Sequence, residues 1–176
     1  MRFLLPATCA LVSTLALLPV VGAADAAGAG EKPMTGKMVL HPENAPYATV
    51  PIAPECNALV GMRGDPTKEA ATFLVRMTGG CVVAWHWHHA TEEVLLIKGS
   101  AVAQMKGGQP TTLGAGAYLQ LPAEHVHRFR CASKQPCYMF VVADRPFDMN
   151  YVDEKGTAVP PADAIAATSK GEHPGW

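Results

Sequence analysis

An all-β domain of short antiparallel strands is what this 176-residue sequence predicts, and three observations carry that reading. Runs rich in β-branched and aromatic residues recur along the middle of the chain, among them Ala71 to Met77, Cys81 to Trp85, Glu92 to Lys98 and Cys137 to Ala143. Turn signals separate them: Arg63-Gly64-Asp65-Pro66-Thr67-Lys68, Gly79-Gly80 and Gly107-Gly108-Gln109-Pro110. Two His-x-His pairs, His86/His88 and His125/His127, follow the period of a strand. Alternate strand residues share a face, so His86 and His88 stand about 7 Å apart and converge on one point, whereas a helix would splay them.

Size and composition bound the rest. The chain has room for one domain with a real core. A formal net charge of −1, with no basic patch, argues against nucleic acid as a partner. Residues 1–23 read as a signal peptide, with a positive start at Met1-Arg2, an apolar run from Phe3 to Val21 and small residues after it. The competing reading is an uncleaved anchor, since the run approaches bilayer-spanning length. Pro6, Ser13, Thr14 and Pro19 count against it, so export to a bacterial periplasm or the medium is expected, without stable membrane insertion. Residues 24–36, rich in Ala and Gly, read as a flexible tether.

Residues 37–153 form the expected barrel with its N-terminal arm. Pro42, Pro46, Pro51 and Pro54 keep the arm from being a central strand. Strands follow at Ala58 to Met62, Ala71 to Met77, Cys81 onward through the first histidine pair, Glu92 to Lys98, Ser100 to Lys106, Tyr118 to Leu121, Val126 to Cys131 and Cys137 to Ala143. Residues 154–176 read as a loose tail with a helical turn near Ala162 to Ala167.

The chemistry concentrates in Gly80 to Gly99, GCVVAWHWHHATEEVLLIKG. His89-Ala90-Thr91 is long enough to reverse the chain, so the strand from Glu92 is expected to run back beside the first and to bring a carboxylate to the imidazoles. If Glu92 faces them, Val94 and Leu96 share its face and line an apolar pocket; the register decides between Glu92 and Glu93. A further ligand is expected from His127, with His125 on the same face. Gln104 joins Val94, Leu96 and His125 among the expected pocket-facing residues. His41, His89 and His173 read as ordinary surface or core histidines, and Met77, Met105 and Met139 as core filler.

These segments resemble the cupins, small antiparallel jelly-roll barrels with a metal inside. The first cupin motif is matched by Gly80, His86, His88, Glu92 and Gly99, and the second by Gly116, Pro122 and His127. Glu124 stands where the family has glycine and Cys131 where it has asparagine. A turn requiring positive φ would resist Glu124, so the Pro122 loop is expected to take another conformation. The resemblance covers about the middle half of the chain and points to a small single-domain bacterial member. It implies a metal site of His86, His88, Glu92 and His127, with Glu92 and His125 as proton-transfer groups.

Three imidazoles and one carboxylate suit a divalent transition metal, Fe or Mn first, then Zn, Ni or Cu. Four ligands on an ion that accepts six leave room for substrate. The functional expectation is an exported metal-dependent oxidoreductase, dioxygenase-like or oxidase/decarboxylase-like, acting on a small oxygen-rich or phenolic molecule. The alternatives are a non-catalytic binding or sensing module and an isomerase or epimerase of the same fold.

With Cys9 in the leader, four of the five cysteines remain for an oxidising compartment. Cys131 and Cys137 flank a turn-like segment and make a hairpin staple, which leaves Cys56 and Cys81 to pair, although three connectivities are formally open. Strand alternation places Val83, Trp85 and Trp87 outside the barrel, with Leu95 and Ile97 beside them. An apolar patch of that size is covered either by the proline-rich arm or by a second copy of the chain, and a homodimer through this face is expected.

Overall fold

A computed structural model describes residues 39–169; the segments expected to be a signal peptide and a tether, with Cys9, His173 and the last residues of the expected tail, lie outside the described residues. The strands are β1 (Ala48–Thr49), β2 (Asn57–Arg63), β3 (Ala71–Met77), β4 (Val82–Trp87), β5 (Glu92–Lys98), β6 (Ser100–Met105), β7 (Thr111–Gly114), β8 (Tyr118–Leu121), β9 (His127–Cys131), β10 (Cys137–Ala143) and β11 (Asn150–Tyr151). One helix, α1 (Pro161–Ser169), follows them. Two sheets result, one ordered β1-β2-β3-β10-β5-β8 and the other β11-β4-β9-β6-β7, with every pairing antiparallel. The jelly-roll barrel expected from the sequence is therefore the fold.

The core fills the space between the sheets because alternate residues of each strand turn inward. On β3 these are Ala71, Phe73, Val75 and Met77, opposite Val141 and Met139 of β10. Phe73, 1 % exposed, contributes about 1.5–3 kcal/mol by leaving water. The arm covers the outer face of the same sheet: Arg76 lies over the Tyr47 ring at 4.9 Å, and Tyr47 packs against Tyr138. Gly99 alone joins β5 to β6 and carries the chain from one sheet to the other. Its φ of 95° suits glycine, and a Cβ there would lie 2.9 Å from Cys137 Sγ.

Cys131 pairs with Cys137 and Cys56 with Cys81, as expected. The second bridge ties the arm to the residue before β4.

Four expectations are corrected. Strands β4 and β5 are not neighbours: β4 lies between β11 and β9, and β5 between β10 and β8. His89 to Thr91 carries the chain across the barrel, so Glu92 approaches the histidines from the facing sheet. Trp85 and Trp87 consequently occupy a different sheet from Leu95 and Ile97, and the continuous outer patch used to argue for a dimer is divided. Strict alternation along β4 also fails. Val83 pairs with Phe129 but His86 with His127, three residues against two, so a bulge between them lets both Val83 and His86 face inward. Trp85 is left outside yet buried, under the Arg128 guanidinium at 4.5 Å.

The third correction concerns the tail. Beyond β11, which pairs with β4, α1 covers and extends the helical turn expected near Ala162 to Ala167, and Ala164 is buried against the core. Lastly, the Pro122 loop keeps the left-handed conformation despite its glutamate. Glu124 has φ 60°, the one non-glycine residue with positive φ among the described residues, and its N–H donates to the His88 carbonyl at 2.7 Å.

Candidate metal centre

His86 and His127 are directly opposed partners on β4 and β9, and His88 follows β4 by one residue. All three are buried, at 4 %, 2 % and 2 % exposure for His86, His88 and His127. Their ring centroids lie 4.3–5.2 Å apart, and one nitrogen from each falls within 4.8 Å of the others. Each Nδ1 is committed to a backbone carbonyl: His86 to Ala84 at 2.6 Å, His127 to His125 at 2.9 Å, and His88 to Asp148. A neutral imidazole that donates from Nδ1 presents a lone pair on Nε2, so the three bonds together fix the tautomer a metal requires.

Glu92, at the start of β5, reaches across with Oε2 3.3 Å from His88 Nε2 and 3.8 Å from His127 Nε2. Glu93 pairs with Val142 and Gln120 on the opposite side of the strand and stays out of the cavity. Despite the short approach to Glu92, His88 Nε2 is a buried atom without a hydrogen-bond partner. With its only proton on Nδ1, its lone pair confronts a carboxylate oxygen, and two negative ends in a dry pocket repel. A cation between them, or a second proton on His88, removes the conflict. The site thus fits a divalent metal on the geometry and chemistry of its own donors.

The protonation preferences agree. Burial, aided by the positive charge His127 and His88 would carry, holds His86 well below its ordinary pKa. Burial likewise lowers His127 to about 4 despite the opposing pull of Glu92. For His88, burial also resists charge, but the Glu92 carboxylate and the Asp148 contacts outweigh it and raise the pKa. Burial works against the Glu92 anion, and His88 reverses the balance and lowers it.

The cluster opens into a cavity of about 260 Å³. Phe73, Val75, Val94, Met139 and Val141 wall it from one sheet, Val83 and Phe129 from the other. The arm, through Val50 to Ala53, and Phe147 and Met149 complete the enclosure. Tyr151 anchors the arm, its hydroxyl donating to the Ile52 carbonyl at 2.9 Å.

Most expected site residues meet here, namely His86, His88, Glu92, His127 and Val94. His125 does not: its side chain is exposed and off the cavity wall, and it serves His127 through its carbonyl instead. Gln104 faces outward and bonds Arg128 Nε at 2.9 Å, and Leu96 is buried in the core without lining the cavity. The arm residues, Phe147 and Asp148 escaped the sequence reading. They lie far from both motifs in the chain, and no spacing rule links them to the histidines.

A double-sheet barrel with three buried histidines converging on its interior presents a candidate metal site inside a β-barrel. Residues 73–143 match the family described as the cupin domain, and the fold of the described residues is that of a cupin barrel. Among solved structures it is similar to the polyketide cyclase RemF from Streptomyces resistomycificus, with 18 % identity over 74 % of this chain and 92 % of that one at a TM-score of 0.56. It is also similar to KdgF from a Halomonas species, with 15 % identity over 63 % of this chain and 96 % of that one at a TM-score of 0.50. Both likenesses concern the fold. The DMSP lyase DddQ from Ruegeria pomeroyi shares 26 % identity at a TM-score of 0.46; the match covers 51 % of this chain and 47 % of that one, about half its length. No curated protein sequence matches the chain.

Proposed function

We propose that this chain is an exported metal-dependent cupin enzyme, an oxidoreductase acting on a small, largely apolar molecule that carries one phenolic or anionic oxygen. The observation behind it is the convergence of the three histidines and the Glu92 carboxylate on a mainly apolar cavity that is partly open to solvent. His86, His88, His127 and Glu92 would hold Fe or Mn, with Zn, Ni or Cu as less favoured occupants. Such a metal supplies a Lewis acid for the substrate oxygen and, when redox-active, reactivity toward dioxygen.

The chain's own residues do the rest. Phe73, Val75, Val94 and Val141 hold the apolar body of the molecule and exclude water. Glu92 is the one carboxylate on the cavity wall among the described residues, and so the group that accepts a proton at its carboxylate oxygen if it is not a permanent ligand. Export accords with two disulfides. Among the described residues no helix is long and apolar enough to cross a membrane.

Protein purified without added metal, assayed for bound metal and then for oxygen consumption with catechols, flavonols and dicarboxylates, tests the reading. Stoichiometric Fe or Mn with turnover of a phenolic compound is expected. A second reading, a non-catalytic binding module, is favoured by the exposure of His125, which leaves the cavity with little proton-transfer equipment besides Glu92. Bound metal with no turnover of any compound would select it.

A further inference from the structure

His86 and His127 are held by the β4–β9 ladder, whereas His88 lies beyond the last residue of β4 and has no ladder partner. The segment from Phe147 to Asn150, outside the matched family region, holds it instead. The Phe147 ring stacks on the His88 imidazole at 4.2 Å with 28° between planes. The Asp148 carbonyl accepts the His88 Nδ1–H. A lone carbonyl in a loop is a poor aiming device unless the loop is itself fixed, and the Asp148 carboxylate fixes it. Oδ1 accepts the His89 N–H at 2.9 Å, Oδ2 meets His89 Nδ1 at 2.6 Å, and Oδ2 also accepts from Asn150 Nδ2 at 2.8 Å. Asn150 is in turn the β11 partner of Trp87. One carboxylate therefore clips the residue after His88 to the strand beside the residue before it.

We propose that Asp148 is a positioning residue of the metal centre: by gripping His89 it aims its own carbonyl at His88 and holds His88 Nε2 in the site. The inference rests on the metal reading above. It explains why a half-buried aspartate engages one neighbouring histidine with both of its oxygens, an arrangement that solvation alone does not call for. Partners that orient a ligating imidazole commonly govern metal affinity by roughly 10- to 100-fold.

The test is cobalt(II) titration of full-length protein stripped of metal, followed by visible absorption, for wild type, Asp148→Ala, Asp148→Asn and His127→Ala. Asp148→Ala is expected to weaken cobalt binding roughly 10- to 100-fold and to alter the absorption envelope. Asp148→Asn keeps an oxygen for the His89 N–H and is expected to recover part of both. A purely structural aspartate would lower the melting temperature of the stripped protein and leave the absorption envelope of the bound ion unchanged. Wild-type affinity and spectrum in both Asp148 variants would overturn the proposal while His127→Ala still loses the ion. If His127→Ala also binds as wild type does, the metal reading itself fails. Should Asp148→Ala not fold, Asp148→Asn decides: weaker binding with a changed spectrum supports the proposal, and an unchanged titration overturns it.

Discussion

His86 and His127 are partners across the β4–β9 ladder, whereas His88 lies one residue past the strand and takes its orientation from a carbonyl 60 residues away. Many backbone hydrogen bonds share the task of placing the first two, and the barrel must come apart before they move. Apart from the Glu124 N–H on its backbone carbonyl, one side-chain hydrogen bond and one stacked ring place the third. The histidine cluster is thus rigid on one side and adjustable on the other, which accords with the proposed site for an ion and a substrate.

The strongest way to break this contrast is to delete a ladder histidine. His127→Ala removes a nitrogen that no loop movement replaces, and metal binding is expected to fall more than about 100-fold, read by isothermal titration or metal analysis after dialysis. Retention of one ion per chain would mean that the ladder pair is not essential.

Stability and site geometry separate in a second experiment. The Cys56–Cys81 bridge spans 25 residues and closes the arm onto the front of β4, away from the His86 end. Replacing both cysteines by serine is expected to cost about 3.5 kcal/mol in urea denaturation while leaving cobalt affinity unchanged. A matching loss of affinity would show that the arm, and not the ladder alone, holds the histidine pair.

Titration offers a third. In metal-free protein the folded pKa of His127 is about 4 against an ordinary 6.5, and His86 is displaced the same way. The unfolded chain then binds more protons, so stability is full at neutral pH and is lost as pH falls from 6.5 toward 4. His127 alone is expected to cost about 2 kcal/mol between pH 7 and pH 5. The raised pKa of His88 acts in the opposite sense, its contribution being present below 6.5 and lost as pH rises through the folded value. Urea midpoints of wild type and His88→Ala at the two pH values separate the terms: the acid loss should be steeper in the variant.

The smallest effect is expected at Glu124. Holding a non-glycine residue at φ 60° costs about 1 kcal/mol, partly balanced by the entropy glycine loses on folding. Glu124→Gly is expected to gain about 0.5 kcal/mol and to leave metal affinity unchanged, because the N–H that holds the His88 carbonyl is retained. A destabilised variant would show that the carboxylate has a partner worth more than the strain.

Much of the site was legible because a strand repeats every two residues and the barrel needs glycine at its crossings. Ala71–Met77, Glu92–Lys98, Tyr118–Leu121 and Cys137–Ala143 fall where the sequence pattern puts them. The two-residue elements were not legible. β1 and β11 are too short for any periodicity to show. Alternation also misled where it was locally broken: a bulge between Val83 and His86 changes which side each residue faces, and bulges have no reliable mark in composition.

Composition, strand period and the spacing of two histidine-bearing motifs determined that this chain folds as a cupin barrel and which three histidines, with Glu92 or Glu93, could meet an ion. They could not determine which strands lie side by side, that Glu92 approaches from the facing sheet, or that Asp148 and Phe147 carry His88. Those are relations between residues remote in the chain, created by the closing of one sheet over another. Local propensity stops at the ends of each strand, and only packing decides what lies beyond them.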